Sequence, residues 1–340
     1  MPRIAVIGAG IAGMEAALRL SEMKFEVDII ERSLSIGGNV GKWHMLFPDF
    51  SPAHLLVEQL KNKICDRVNF LLGTEVVRLE QHNQKYTLHF TDKTKIAVDA
   101  IIIASGFKLF PANRKEEYGY SIYANVITSA ELEEMFQSEQ PICTKDHRPV
   151  QRIAFIHCVG SRDDKMGNRY CSKVCCVTAV KQAIETARRN PDAEIYLFYM
   201  DLRMFDRHFE DLYFQAQTQY GIRFVRGRLS EVSEKSDSRL YLKLEDTLLG
   251  RPLRLTTDML VLMVGMEPAE NTPQLANLLH VSIGNDKFFL PQNFHQHKNL
   301  TVQPGIFLAG CASGPKSVGE TLADARSAAL EVYNYLNSIN

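Results

Sequence analysis

The strongest constraint on the fold lies between Met1 and Glu31. Ile4-Ala5-Val6-Ile7 is a short, β-branched apolar run, and Gly8-Ala9-Gly10-Ile11-Ala12-Gly13 follows at once. Met14 to Leu20 is rich in helix formers, and Phe25 to Ile30 reads as a second strand ending at Glu31. Strand, glycine turn, helix, strand and acid, with 18 residues from Gly13 to Glu31, is the pattern of a dinucleotide-binding βαβ unit. Gly8 allows the tight turn, Gly10 lets the backbone approach a pyrophosphate, and Gly13 lets the helix pack against the strand. The helix N-terminus offers free N–H groups and partial positive charge to the phosphates, and Glu31 can accept from a ribose diol. The complete context is what sets this reading against a glycine-rich turn with no ligand.

At 340 residues the chain is long enough for two domains, or for one split into pieces. Its 39 basic and 40 acidic residues give no electrostatic case for binding nucleic acid. No apolar run is long enough for a membrane-spanning helix. The start, Met1-Pro2-Arg3 and then Ile4 to Met14, loosely imitates a signal peptide, but glycines at motif spacing and the lack of an A-x-A-like cleavage site argue against one. Seven cysteines, an odd count, argue against disulfide stapling and point to a reduced, cytoplasmic compartment. Cys65 is expected as a small core residue of a helical stretch.

The segments after Glu31 narrow the dinucleotide by resemblance. Glu31-Arg32 followed by Gly37-Gly38-Asn39 resembles the E-R-x-x-x-x-G-G continuation of FAD-binding flavoproteins. Ala104-Ser105-Gly106, closing the strand from Ile101, resembles their A-T-G strand end. Gly305 to Gly310 resembles their final flavin strand, which usually ends in glycine and an acid that binds the ribityl chain; Cys311 stands in place of the acid. Gly314-Pro315-Lys316 leads into Ser317-Val318-Gly319-Glu320, a capping box that opens a helix running to about Tyr335. Leu322, Ala329, Val332, Tyr333 and Leu336 are available for its buried face. Amides at that N-terminus could face the flavin and favour a reduced ring; an ordinary capped helix is the plainer alternative. By the same resemblance Val76 contacts adenine through its backbone. These residues, with Gly8, Gly10, Ala12 and Gly13, are the candidate FAD site.

The layout is that of α/β chains with two Rossmann-like dinucleotide-binding domains, and it resembles thioredoxin reductases, whose FAD domain is split by the second domain. Residues 1–110 and 268–340 are expected to form the FAD domain. Residues 111–150 read as a connector with one helix near Ser129 to Gln137, and 151–267 as the second domain. There the strand Ile153 to His157 runs into Cys158-Val159-Gly160-Ser161-Arg162, with one glycine where three would serve a nicotinamide cofactor, and no C-x-x-C redox pair occurs.

In place of those glycines stands C-x12-C-x3-C-C: Cys158, Cys171, Cys175 and Cys176. Cys158 ends a strand, where doubly wound sheets bind ligands. Cys171 and Cys175, four apart, are expected to share a helical face, with Cys176 reaching round from backbone that is not plain helix. Soft sulfur ligands select zinc or an iron–sulfur cluster, and thiols without metal remain a third reading. The spacing is neither the C-x2-C pairing usual for structural zinc nor the ferredoxin run. Arg162, Lys165, Arg169 and Lys173 lie nearby, and an adjacent flavin favours a redox centre.

Cys158-Val159-Gly160-Ser161-Arg162-Asp163, Tyr170-Cys171-Ser172-Lys173-Val174-Cys175-Cys176 and Ala179-Val180-Lys181 resemble the signature of the A-subunits of heterodisulfide reductases, as does Gly310-Cys311-Ala312 with Gly314-Pro315-Lys316. The resemblance covers essentially the whole chain. It implies a [4Fe-4S] cluster ligated by the four cysteines near FAD, and partners similar to the B- and C-subunits of heterodisulfide reductase. The family's longer members carry ferredoxin-type cysteine runs and further cluster cysteines after the G-G segment; Phe47 to Ser51 holds none. The chain therefore looks like the short form of a sulfur-oxidising heterodisulfide reductase-like complex, with a lipoate-binding protein as sulfur carrier, a homodimeric core and NAD+ as the expected acceptor, so that NAD(H) stays open as a further cofactor. The alternative is a stand-alone NAD(P)H-dependent flavoprotein disulfide reductase with structural zinc or free thiols.

Overall fold

A computed structural model describes every residue except Asn83, Glu139 and Asn340. The chain divides into two compact units: residues 1–42, 53–108 and 267–340 form the first, and 43–52 with 109–266 the second. It opens with β1 (Arg3–Ile7), α1 (Ile11–Glu22), β2 (Glu26–Glu31), α2 (Ala53–Lys63) and β3 (Val68–Leu72). An antiparallel meander of β4 (Val76–His82), β5 (Lys85–Phe90) and β6 (Lys95–Val98) follows, then β7 (Ala100–Ile103) and β8 (Phe107–Leu109). Four of the five residues of β1 and all of β7 are buried, as strands covered on both faces must be.

The second unit contributes β9 (Val126–Thr128), α3 (Ser129–Phe136), β10 (Arg152–Val159), α4 (Cys175–Arg189), β11 (Glu194–Tyr199), α5 (Phe209–Thr218) and β12 (Arg223–Arg226). A second meander, β13 (Leu229–Glu234), β14 (Leu240–Asp246) and β15 (Arg251–Thr257), precedes β16 (Met259–Val264). The chain then returns through β17 (Met266–Pro268) to α6 (Thr272–Leu279), β18 (Ile306–Leu308) and α7 (Val318–Ile339) of the first unit.

The two units share the topology of four strands and differ in the fifth, since β18 enters its sheet last and β9 enters its sheet first. The first has a parallel sheet in the order β18-β7-β1-β2-β3, and the second has β12-β11-β10-β16-β9. In each, the first long strand is central, a helix leads to its neighbour, and a three-stranded meander interrupts the chain before the fourth strand. The end of β10 therefore occupies the position in its unit that Gly8 to Gly10 occupies in theirs, and α4 corresponds to α1.

Several expectations from sequence change. The segment 111–150 supplies β9 and α3 to the second unit, and residues 43–52 also belong there. Helix α4 begins at Cys175, because Lys173 takes a left-handed φ of 62° and breaks the turn. Cys171 and Cys175 consequently share no helical face, and Cys176 sits in regular helix. Cys65 lies beyond the end of α2 and is exposed. Helix α7 opens on the expected box, with Glu320 accepting from the Ser317 N–H at 2.9 Å, but Tyr333 is exposed.

Candidate functional site

The first unit builds a cradle from backbone. Gly8 has φ +117°, and a Cβ there would stand 2.4 Å from the Ala104 carbonyl oxygen. A Cβ on Gly13 would be 1.9 Å from the Gly8 carbonyl oxygen, so α1 seats on the turn only without a side chain there. Gly37 donates to the Ala9 carbonyl at 2.8 Å, and a Cβ on Gly38 would lie 3.1 Å from the Gly10 Cα. The two glycine pairs thus meet backbone to backbone. The Glu31 carboxylate accepts from the Ala9 N–H at 2.8 Å and from the N–H and hydroxyl of Ser33, both at 2.9 Å. Ser33 was not anticipated from sequence; its spacing of two from an acid was the available signal. Both Ser33 donors fall on Oε1, so Oε2, which takes only the Ala9 N–H, keeps a further lone pair for a ribose hydroxyl.

Ala104 is buried beside this turn, and the Ser105 hydroxyl is buried without a partner. Asn39 donates to the Phe107 carbonyl at 2.9 Å, which ties the glycine loop to the start of β8. Gly106 takes a left-handed φ of 68°, Val76 opens β4 half-buried, and the Arg32 side chain is exposed. The Ala12 methyl faces Gly310, whose added Cβ would approach it to 2.6 Å. Lys316, Ser317 and Val318 are half-buried at the start of α7. A cradle that a Cβ would fill, an acid at the second strand's end and an orphaned buried hydroxyl all fit FAD. Cys311 does not fit a ribityl contact: its thiol is buried against the Thr321 hydroxyl at 3.8 Å and the Lys316 carbonyl at 3.7 Å, and burial pushes it up.

In the second unit the strand pairing of β10 with β16 slips between Ile156 and Val159, and Cys158 takes φ +60°. Such a bulge re-aims side chains at a strand end. Cys158, Cys175 and Cys176 are buried, and Cys175 lies within hydrogen-bond reach of both others. Hydrogen bonding from Cys175, whose single proton serves one neighbour at a time, is the main cause that lowers Cys158 to about 7 and Cys176 to about 4, and the same contacts raise Cys175. The first turn of α4, with its free N–H groups, favours such thiolates. His157 lies close enough to lower Cys176 further, yet neither ring nitrogen makes a well-formed hydrogen bond, and the Ser161 hydroxyl is also buried without a partner. Of the basic neighbours, Arg162 stands beside Cys158 and grips Asp201 with both ends of its guanidinium. Arg169 instead pairs with Asp164 at the surface.

Cys171 is half-buried in the loop before α4. Its sulfur accepts from the Lys173 N–H at 3.3 Å. Its backbone is fixed on both sides, because the Tyr170 hydroxyl donates to the Met266 carbonyl and the Ser172 hydroxyl accepts from the Met266 N–H, each at 2.9 Å. Cys158, Cys175 and Cys176 thus form a buried group of thiols, and Cys171 is held in the adjoining loop. Among the described residues, no set of three or more His, Cys, Asp or Glu is disposed to hold a metal ion.

Gly160, the glycine that remains in this turn, serves another purpose. It has φ +74°, and a Cβ there would stand 2.0 Å from the Phe110 ring. The Phe110 ring packs directly over this glycine. Phe110 directly follows β8 and carries no sequence signal for this role.

Comparison with known proteins agrees with this architecture. The pyridine nucleotide-disulphide oxidoreductase family pattern matches residues 2–156. The chain is 31% identical to the iron-sulfur A-subunit of the CoB–CoM heterodisulfide reductase of Methanocaldococcus jannaschii, over 96% of this chain and 63% of that protein. It is 40% identical to the A-subunit of the H(2):CoB-CoM heterodisulfide,ferredoxin reductase of Methanothermobacter thermautotrophicus, over 95% and 62%. The chain thus spans less than two thirds of the length of these relatives. Among solved structures, thioredoxin reductase of T. acidophilum superposes with a TM-score of 0.68 at 16% identity, covering 100% of both chains. That of Lactococcus lactis gives 0.65 at 17% identity, over 99% of this chain and 100% of the other. At such identities the likeness is one of fold.

Proposed function

The chain is a homologue of the A-subunits of heterodisulfide reductases along nearly its whole length and a flavin-dependent oxidoreductase, and from that premise we propose that it is the FAD- and [4Fe-4S]-containing electron-transfer component of a heterodisulfide reductase-like complex in sulfur oxidation. A thiol/disulfide-active module, made of proteins like the family's B- and C-subunits, delivers electrons, with a lipoate-binding protein as carrier of the sulfur substrate, and an acceptor such as NAD+ receives them. The working unit is a homodimer in the cytoplasm; no helix among the described residues is long and apolar enough to cross a membrane.

The observation that carries this reading is the gathering of Cys158, Cys175 and Cys176 at the end of β10 and the start of α4. The equivalent position in the first unit is a phosphate-cradling glycine turn. A chain that replaces such a turn with sulfur has exchanged nucleotide binding for another task. Cys158, Cys171, Cys175 and Cys176 would hold the cluster, which supplies one-electron transfer. Gly8, Gly10, Gly13, Gly37 and Gly38 would admit the FAD pyrophosphate, Glu31 would accept from its ribose, and the flavin supplies the exchange between one- and two-electron steps. Within the chain, burial shields Cys158, Cys175 and Cys176 from water, and hydrogen bonding from Cys175 lowers the other two thiols toward the deprotonated form that a metal ligand needs. The absence of cysteine between Phe47 and Ser51 supports the sulfur-oxidising setting.

The half-buried position of Cys171, beside three buried cysteines, favours, as a second reading, a stand-alone NAD(P)H-dependent flavoprotein disulfide reductase with structural zinc or free thiols. Iron analysis of anaerobically purified protein decides between them. About four irons per chain, with broad absorption beneath the flavin bands, is the expected result. Cys171→Ser should then lower the iron content while flavin content is unchanged. Flavin bands alone, or zinc, would establish the second reading.

A further inference from the structure

The turn between β18 and α7 is closed by a pair of charges. Asp324, on the second turn of α7, accepts the Gly310 N–H on Oδ2 at 2.7 Å. Lys316 Nζ donates to the Gly310 carbonyl at 2.7 Å and to the Ser313 hydroxyl at 2.8 Å. The ammonium and the Asp324 carboxylate lie 3.7 Å apart, and their side chains are only 17% and 12% exposed. Both polar groups of Gly310 are thus gripped, one by each member of an ion pair. The residue has no slack elsewhere: its φ is +64°, and an added Cβ would lie 2.6 Å from the Ala12 methyl and 3.2 Å from Thr321. The turn is therefore pressed onto the first turn of α1, which carries Gly13 of the dinucleotide motif.

Cys311, the next residue, turns its thiol inward and offers no charge to a ligand. Asp324 is the carboxylate that acts on this turn, and it reaches it from the helix rather than from the strand end. Its charge also compensates the Lys316 ammonium. An uncompensated ammonium at this position would favour a reduced, anionic flavin.

We propose that Asp324 is the positioning residue of the flavin-facing turn, fixing Gly310 for tight flavin binding and offsetting Lys316 so that the flavin stays harder to reduce. The inference rests on the flavin reading of the first unit. The two effects separate by substitution. Asp324→Asn keeps an oxygen that can accept the Gly310 N–H but loses the charge; Asp324→Ala loses both.

The experiment measures flavin dissociation and the flavin midpoint potential in the full chain, with thermal unfolding as a control. Asp324→Asn should bind flavin within a few-fold of the parent and show a more positive midpoint. Asp324→Ala should bind at least tenfold more weakly. Lys316→Met should move the midpoint the opposite way, to a more negative value, because it leaves the carboxylate uncompensated. If Asp324→Ala does not fold, Asp324→Asn and Lys316→Met carry the test. Parental affinity and midpoint in both Asp324 variants would overturn the proposal, as would midpoints that move in the same direction in Asp324→Asn and Lys316→Met. A parent that takes up no flavin overturns the flavin reading itself, and this inference with it.

Discussion

At the scale of single residues, the site is decided by where a methyl group has no room. Gly13 faces a backbone oxygen 1.9 Å from its would-be Cβ, and backbone cannot rotate aside as a side chain can. Gly13→Ala should therefore cost on the order of 4 kcal/mol or more and leave a first unit that retains no flavin, read by thermal unfolding and by flavin content after reconstitution. Flavin retained at parental stability would mean that the turn is looser than described. Gly160 differs, since its neighbour is the Phe110 ring. Gly160→Ala should be strongly destabilising in the parent but cost only about 1–2 kcal/mol in a Phe110→Ala background, the residual strain of a left-handed alanine. Equal cost in both backgrounds would remove Phe110 as the reason for the glycine. The first case was legible in sequence, because the strand–glycine–helix–acid order states its own geometry. The second was not: a lone glycine says nothing about a ring that arrives from 50 residues earlier in the chain.

At the scale of elements, α4 joins two environments along one helix. Its first turn holds Cys175 and Cys176. Further along, Lys181, with a side chain 2% exposed, pairs with Glu133 at 2.5 Å and with Glu185 at 2.8 Å. Gln182 donates to Glu133 at 2.7 Å, the His44 N–H donates to Glu133 at 3.0 Å, and the His44 ring lies 3.6 Å from Glu185. This network ties the segment 43–52 and α3 to α4 within the second unit. Lys181→Met would leave two buried carboxylates facing each other and should cost about 3–5 kcal/mol in unfolding free energy. Burial pushes Glu185 above its ordinary 4.5, against the pull of Lys181, while Glu133 and Arg189 act on it as smaller influences. The folded state then binds this proton more tightly than the unfolded state, so the contribution is complete below pH 4.5 and is lost as pH rises through the raised value. Glu185→Gln, which cannot titrate, should gain stability relative to the parent as pH rises across that window; a pH-independent difference would place Glu185 at its ordinary value. Sequence patterns found α4 but not its start. Ser172-Lys173-Val174 contains no helix breaker, and only the left-handed Lys173 delays the helix to Cys175. The solvent-facing strands β13 and β15 alternate buried and exposed residues too irregularly to stand out in sequence.

At the scale of the whole molecule, one four-strand topology is used twice with opposite provision for a nucleotide. In the first unit the central strand ends in glycines that admit close approach, and an acid closes the second strand. In the second unit the same strand ends in Cys158 and Gly160, the helix that would present amides to phosphate begins with two cysteines, and Phe110 fills the space over the glycine. The duplication was legible because strand and helix periodicity repeats; the departure of the second turn from the glycine pattern was legible as missing glycines, and the Phe110 ring over Gly160 needed tertiary structure. A consequence follows for reduction of the isolated chain. A two-nucleotide reductase takes hydride from NAD(P)H held in its second domain, and this second unit lacks the turn for it. The flavin of the isolated protein should thus be bleached promptly by dithionite under anaerobic conditions but only slowly by NADH or NADPH, followed by stopped-flow absorbance. Phe110→Ala alone should not restore fast reduction, since the cysteines would still occupy the helix N-terminus. Rapid bleaching by NADPH without partner proteins would instead require a nicotinamide site elsewhere in the chain, and would favour a self-sufficient reductase over a component that receives its electrons through sulfur.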